Sequence, residues 1–168
     1  ETDVGAICAR NYGMIQDCTV KGFLNINYYN RGGKLHVGGI TGCNEGSDNT
    51  DIIKRCWNAL HINVNGPEPI EGQRGAQAST IMVGGIAGLY RSSIEKCLNT
   101  GDISTNFFEW YEVTRSQYFN LYFGGIVGFK VDCKAPVVAC IQAGQSIKMK
   151  GWLIGHHIVA PSSQYYMW

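Results

Sequence analysis

One short pattern, Gly-Gly-Ile-x-Gly followed by Ile-x-x-Cys, recurs four times in this chain of 168 residues. The copies begin at Gly5, Gly38, Gly84 and Gly124, and the first copy is degenerate because it reads Gly-Ala-Ile-Cys-Ala. They follow one another at intervals of about 30 to 46 residues, the range of solenoid and propeller arrays. Since one such unit cannot bury its apolar face alone, the pattern predicts that successive copies stack on one another.

Stacking places equivalent residues of the copies in columns. We expect an apolar column of isoleucines and a buried column of free thiols, formed by Ile7, Ile40, Ile86 and Ile126 and by Cys18, Cys56, Cys97 and Cys140. Within one copy, Ile94 and Cys97 are three residues apart and would lie on opposite faces of a straight strand. The chain must therefore bend between them if both point inward. Alternating, β-branched flanks such as KGFLNINYY (21–29) and LHINVN (60–65) favour strands over helices.

The repeated core resembles the GLUG-motif repeat, which is named for a Gly-Leu/Ile-x-Gly sequence. The core is read at 39–42 (GITG), 85–88 (GIAG) and 125–128 (GIVG), with a weaker copy at 6–9, and IEKCLNTGDI (94–103) matches the second half of the motif. The resemblance covers most of residues 4 to 150. It implies a right-handed β-solenoid that serves as a stalk or a binding surface in bacterial surface and secreted proteins. Such repeats occur in adhesin-like proteins and in non-catalytic parts of immunoglobulin A-cleaving proteases, and they bring no agreed catalytic residues.

These observations predict an all-β fold, a right-handed β-solenoid or parallel β-helix-like stack of about four GLUG-type coils with hairpin insertions. We expect a single repeat domain over residues 1–168, with insertions after Ile26, Ile62 and Ile103. Its copies lie near 4–36, 37–82, 83–122 and 123–153, and 154–168 form a degenerate coil or a cap. Because the chain opens directly on a repeat, we expect it to be a mature form or part of a longer chain with neighbouring repeats or domains.

Charge and hydropathy exclude some partners. The formal net charge of +1 gives no electrostatic reason to expect nucleic acid. No run of 18 apolar residues occurs in the sequence, so we expect no membrane insertion.

The seven cysteines are an odd number, so at least one is unpaired within the chain. Disulfide bonding stays open for Cys8, Cys43 and Cys133, which are not equivalent to one another in the repeats. No Cys-x-x-Cys pair occurs, and the four histidines are not at ligand spacing from cysteines. We therefore expect no metal site and no cofactor.

The sequence gives only a weak indication of catalytic or calcium-binding residues. The acidic segment with Glu45, Asp48 and Asp51 lacks EF-hand spacing, and a solvated turn explains it better than a calcium loop. Parallel β-helix enzymes need paired carboxylates on one face, whereas the carboxylates of this chain occupy different positions within their repeats. The sequence thus predicts no catalytic residues and a protein that is not an enzyme.

Aromatic residues outside the repeated core are the candidate binding residues. Tyrosine and tryptophan combine apolar area with a polar group, as glycan-stacking and protein-docking surfaces do. The alternative is that these rings pack an insertion onto the solenoid or cap an open end. The candidates are Tyr28, Tyr29, Phe107, Phe108, Trp110, Tyr111, Tyr118 and Tyr122.

The functional prediction is a non-catalytic, extracellular or cell-surface bacterial module of adhesin-like type. It would bind a glycan or a host or bacterial surface protein, or act as a rigid stalk. The alternative is an accessory region of a secreted polysaccharide- or protein-processing enzyme. A structural component of a phage or filament is a third and weaker hypothesis.

Overall fold

The computed structural model describes residues 1–28, 33–46, 52–66, 79–105, 119–131, 135–144 and 147–149. Within these ranges the chain is all-β, with 18 strands and no helix. The predicted preference for strands over helices is therefore confirmed there. No helix long and apolar enough to span a membrane occurs in this described part of the chain.

The strands fall into four successive groups along the chain, which we call rungs. Rung 1 contains β1 (Thr2–Gly5), β2 (Cys8–Asn11), β3 (Ile15–Gln16) and β4 (Thr19–Asn27). Rung 2 contains β5 (Lys34–Gly38), β6 (Thr41–Asn44), β7 (Ile53–Lys54) and β8 (Trp57–Asn65). Rung 3 contains β9 (Ser79–Gly84), β10 (Ala87–Tyr90), β11 (Ile94–Glu95), β12 (Leu98–Asn99) and β13 (Ile103–Thr105). Rung 4 contains β14 (Phe119–Gly124), β15 (Val127–Lys130), β16 (Val137–Val138), β17 (Ile141–Gln142) and β18 (Ile147–Met149).

Each rung contributes to the same four sheets in the same order. Sheet A has the order β1-β5-β9-β14, sheet B β2-β6-β10-β15 and sheet C β3-β7-β11-β16. In sheet D, β8 pairs with β4 on one side and with β12 and β13 on the other, and these pair with β17 and β18. All of these pairings are parallel. Parallel sheets stacked in register are consistent with a β-solenoid.

The register of sheet A confirms the alignment of the repeated glycines. Gly5 pairs with Gly38, Gly38 with Gly84, and Gly84 with Gly124. The isoleucines that follow are joined by main-chain hydrogen bonds of 3.1, 3.0 and 2.8 Å, which link Ile7 to Ile40, Ile40 to Ile86 and Ile86 to Ile126. Ile40, Ile86 and Ile126 are buried, whereas Ile7 is 45% exposed because no other described strand covers rung 1 on that side.

Glycine permits the close approach of sheet B to the sheet A strand of the preceding rung. A Cβ on Gly128 would lie 2.6 Å from the Val83 nitrogen and 2.7 Å from the Gly88 oxygen. Real Cβ atoms do not come this close to a backbone, so only glycine allows the two strands to approach. The Gly-x-x-x-Gly part of the repeat thus sets the distance between the two sheets.

A bend with positive φ separates the repeated isoleucine or valine from the cysteine. Asp17, Arg55, Lys96 and Ala139 have φ values of 55, 51, 50 and 52°, and each immediately precedes a cysteine of the thiol column. Ile94 and Cys97 are consequently both buried. This confirms the bend that their spacing predicted.

The thiol column belongs to the main core, with Cys56 and Cys97 as members and Cys18 and Cys140 packed against it. Cys56 and Cys97 are buried, while Cys18 and Cys140, on the outer rungs, are partly buried. All four are free thiols, as are Cys8 and Cys43, whereas Cys133 lies outside the described residues. The prediction of a free-thiol column is confirmed, although only the two inner members are fully buried.

Candidate functional site

Sheet D presents a broad outward face on its two longest strands. β4 and β8 pair over nine positions, from Thr19 opposite Trp57 to Asn27 opposite Asn65. Because side chains alternate along a strand, the odd-numbered residues of both strands point outward while Ile62 and Val64 enter the core. We call this surface the sheet D face; with the adjacent rung 3 residues it consists of Lys21, Phe23, Asn25, Asn27, Trp57, His61, Asn63, Asn65, Thr100 and Ser104.

Three rings line the first half of the sheet D face, with Trp57 at its end and Phe23 and His61 at its middle. Phe23, which is 77% exposed, stacks on His61 with ring centroids 5.2 Å apart and an interplanar angle of 24°. Trp57 is 37% exposed, and its indole nitrogen donates a 2.9 Å hydrogen bond to the Thr100 hydroxyl. A single exposed apolar side chain is common on protein surfaces. Here, however, the three rings lie on the outward face of two neighbouring strands, so they form one shared surface.

Amide and hydroxyl groups line the other end. Asn63 donates to Asn25 at 3.5 Å, and Asn65 donates to Asn27 at 3.4 Å. On rung 3, the Ser104 hydroxyl donates a 3.0 Å hydrogen bond to the side-chain oxygen of Asn63 on rung 2. Each side-chain amide has two donor hydrogens and a carbonyl acceptor, so these ladder contacts leave further hydrogen-bonding capacity toward solvent.

Charges on and beside the sheet D face are few and mixed in sign. The Lys21 ammonium lies 4.8 Å from the Trp57 ring centroid, a cation–π contact. His61 Nδ1 is 3.6 Å from the Asp102 carboxylate. At the bend that precedes sheet D, Arg55 donates two 2.6 Å hydrogen bonds to Asp17, and this contact lowers the pKa of the Asp17 carboxyl.

Two of the sequence-predicted aromatic residues are described, and both pack against the protein. Tyr28 follows β4, is only 6% exposed and belongs to the main core. Tyr122 is half-buried and makes an edge-to-face contact with Phe129, at 4.6 Å between centroids. These two rings favour the packing alternative over ligand contact. The other candidates, Tyr29, Phe107, Phe108, Trp110, Tyr111 and Tyr118, lie outside the described residues.

The acidic segment is described only at Glu45. Its carboxylate forms ion pairs of 3.3 Å with both Arg10 and Arg91, on the first and third rungs. The negative charge of Glu45 is therefore balanced by arginines of the two neighbouring rungs. Asp48 and Asp51 lie outside the described residues.

The sheet D face was not singled out by the sequence analysis, although its signal was present. The alternation in 21–29 and 60–65 predicts strands, and it also sets which side chains share their outward face. Placing the second halves of copies 1 and 2 in register sets Phe23 beside His61 and Asn25 beside Asn63. Alignment of copies 1 and 2 thus predicts which residues lie side by side on this surface.

Fold and surface together define a class: an all-β repeat protein of parallel rungs with a flat aromatic and amide face. Comparison of the chain with protein-family models, curated proteins and solved structures finds no match.

Proposed function

We propose that this chain is a GLUG-type module that binds a glycan without catalysing a reaction. It is a right-handed β-solenoid of about four coils with hairpin insertions, and it acts at a bacterial cell surface or in the secreted fraction. The repeated Gly-Ile-x-Gly core and the in-register stacking of its copies support the coil architecture.

The sheet D face carries the glycan proposal. Phe23 stacked on His61, with Trp57 on the same outward surface, offers flat apolar area on a rigid sheet. A pyranose ring has an apolar C–H face that packs on such rings. The asparagine ladder beside them supplies donors and acceptors for sugar hydroxyls.

Repetition along the sheet suits a polymeric ligand. Neighbouring parallel strands are about 4.8 Å apart, and the asparagines recur on adjacent strands at Asn25 and Asn63 and at Asn27 and Asn65. Consecutive sugar hydroxyls would meet equivalent amides. The predicted aromatic residues Tyr29, Phe107, Phe108, Trp110, Tyr111 and Tyr118 remain candidate glycan contacts in the proposal.

Glycan-array binding by the purified chain and by matched variants tests the proposal. The first variant combines Phe23→Ala and Trp57→Ala, and the control is Tyr12→Ala, since Tyr12 is a 64% exposed ring outside the sheet D face. A third variant combines Trp110→Ala and Tyr111→Ala. We expect the wild-type chain and Tyr12→Ala to bind one glycan class, and the Phe23 and Trp57 variant to lose at least about tenfold in affinity, the equivalent of about 1.4 kcal/mol.

The other outcomes separate the alternatives. Loss of binding only in the Trp110 and Tyr111 variant would move the site to the aromatic segment. No glycan binding by a folded wild-type chain would contradict the glycan proposal and favour a protein partner, a stalk, or an accessory region of a secreted polysaccharide- or protein-processing enzyme.

A further inference from the structure

A second cluster of polar side chains lies between sheets A and B, on the side away from sheet D. Asp3 on β1 is the register partner of His36 on β5. Cys43 lies on β6, which the glycine turn folds back against β5. A carboxylate oxygen of Asp3, a ring nitrogen of His36 and the Cys43 sulfur all lie within 4.8 Å of one another.

His36 has a buried nitrogen without a partner. Its Nδ1 is 2.6 Å from Asp3 Oδ1, while Nε2 has no hydrogen-bond partner among the described residues, although the side chain is only 1% exposed. Leaving a buried polar atom unsatisfied costs about 1–3 kcal/mol. A zinc ion held by both Asp3 Oδ1 and His36 Nδ1 would replace the proton between these two atoms, and Nε2 would then carry the ring hydrogen and face the Glu1 carboxylate, 4.0 Å away.

The charges around the cluster favour a cation. Arg10 donates to Asp3 Oδ2 at 2.8 Å and also bonds Glu1 and Glu45, and Arg91 pairs with Glu45, so three carboxylates face two arginines. The Glu1 Oε1 atom lies 4.0 Å from His36 Nε2 and adds negative charge at the edge of the cluster. Arg10 contacts Asp3 Oδ2 and leaves Oδ1 directed at His36.

We propose that Asp3, His36 and Cys43 bind a zinc ion. Nitrogen, thiolate sulfur and carboxylate oxygen form a mixed ligand set that zinc accepts in tetrahedral geometry. Three protein ligands leave a fourth position for water. The sequence spacing gave no indication of this site because its residues are 33 and 7 positions apart and meet only through rung stacking and the glycine turn.

Cobalt titration of the reduced, chelator-treated chain tests the site. Co²⁺ bound to a thiolate gives a charge-transfer absorption band in the near ultraviolet, and added Zn²⁺ should displace it. We expect the band in the wild-type chain and its loss in Cys43→Ser, with the affinity for Co²⁺ falling by about 100-fold or more. The matched controls Cys8→Ser and His61→Gln change a half-buried thiol of sheet B and an exposed histidine, and both should keep the band.

Two results would overturn the proposal: no band in the wild-type chain, or an equal band in Cys43→Ser, which would assign binding to another cysteine. Circular dichroism of each variant monitors its folding. If Cys43→Ser does not fold, Asp3→Asn replaces it, and an unchanged Co²⁺ affinity in that variant would equally contradict the site.

Discussion

The side chain of Asn58 donates a 2.6 Å hydrogen bond to that of Asn99 on the next rung, and both asparagines are fully buried. Asn99 also donates to the carbonyl oxygen of Gly125 at 2.9 Å and accepts from the Gly101 nitrogen at 3.2 Å. Because these contacts satisfy polar groups on neighbouring rungs, they hold the rungs in register within the core.

Asn99→Ala is expected to destabilise the fold by about 1–3 kcal/mol, because buried donors and acceptors lose their partner. Urea unfolding followed by circular dichroism measures the loss. Asn63→Ala removes the corresponding contact from the exposed ladder and should change stability by no more than about 0.5 kcal/mol. Equal effects of the two variants would contradict a structural role for the buried pair.

Ile86→Asp is expected to prevent folding, because Ile86 is fully buried and the new carboxylate would have no partner. Ile7→Asp is the matched control, since Ile7 has the same position in the repeat but is 45% exposed. Thermal unfolding should show a cooperative transition for Ile7→Asp and none for Ile86→Asp. An unchanged melting temperature in Ile86→Asp would mean that the isoleucine column is wrongly assigned.

Ala139→Gly is expected to stabilise the chain by about 1 kcal/mol, because a residue with a Cβ is strained at its φ of 52°. Ala59→Gly is the control, as Ala59 lies within strand β8, where glycine costs about 0.5–1 kcal/mol. The two alanine-to-glycine changes should therefore shift the urea midpoint in opposite directions. A shift in the same direction would argue against the left-handed bend at Ala139.

Cys97→Ser is expected to destabilise the chain by about 1–3 kcal/mol, since a hydroxyl replaces a buried thiol of the column. The loss should be the same with and without a reducing agent, because Cys97 is a free thiol. Paired urea titrations under the two conditions provide the measurement. A loss confined to oxidising conditions would indicate a disulfide bond.

Alkaline pH is expected to destabilise the fold through Cys43. Burial raises the pKa of this thiol from its ordinary value of 9.0 to about 12. The native state therefore favours the protonated thiol, and its contribution is fully present below pH 9 and is lost as the pH rises toward 12. Stability measured against pH should fall less steeply in this window for Cys43→Ala than for the metal-free wild-type chain; identical slopes would contradict the shift.

Features repeated in every copy could be predicted from the sequence. Stacking aligns equivalent residues, so the isoleucine and thiol columns follow from the alignment of the copies. The bend before each cysteine follows as well, because the inward positions of Ile94 and Cys97 leave no other conformation for a strand.

Two kinds of feature were not predicted from the sequence. One is which face of a strand carries a given residue, and the other is which residues of different rungs come into contact. Tyr28 follows β4 and, by alternation with Leu24 and Ile26, lies on the inward side, although it was among the predicted binding residues, with packing as the alternative. The contacts of Phe23 with His61 and of Asp3 with His36 join residues of different rungs. The residue types and their spacing within one copy do not predict these contacts between rungs.

The register of sheet A does not depend on the length of chain between its strands. Leu35 pairs with Thr2, 33 residues before it, and with Ile81, 46 residues after it, without a change in alignment. The connections within and between rungs are thus free to gain or lose residues while the stack stays intact. Evolution can diversify such a connection, and an engineer can graft an epitope or a reporter peptide there, without redesigning the scaffold that displays it.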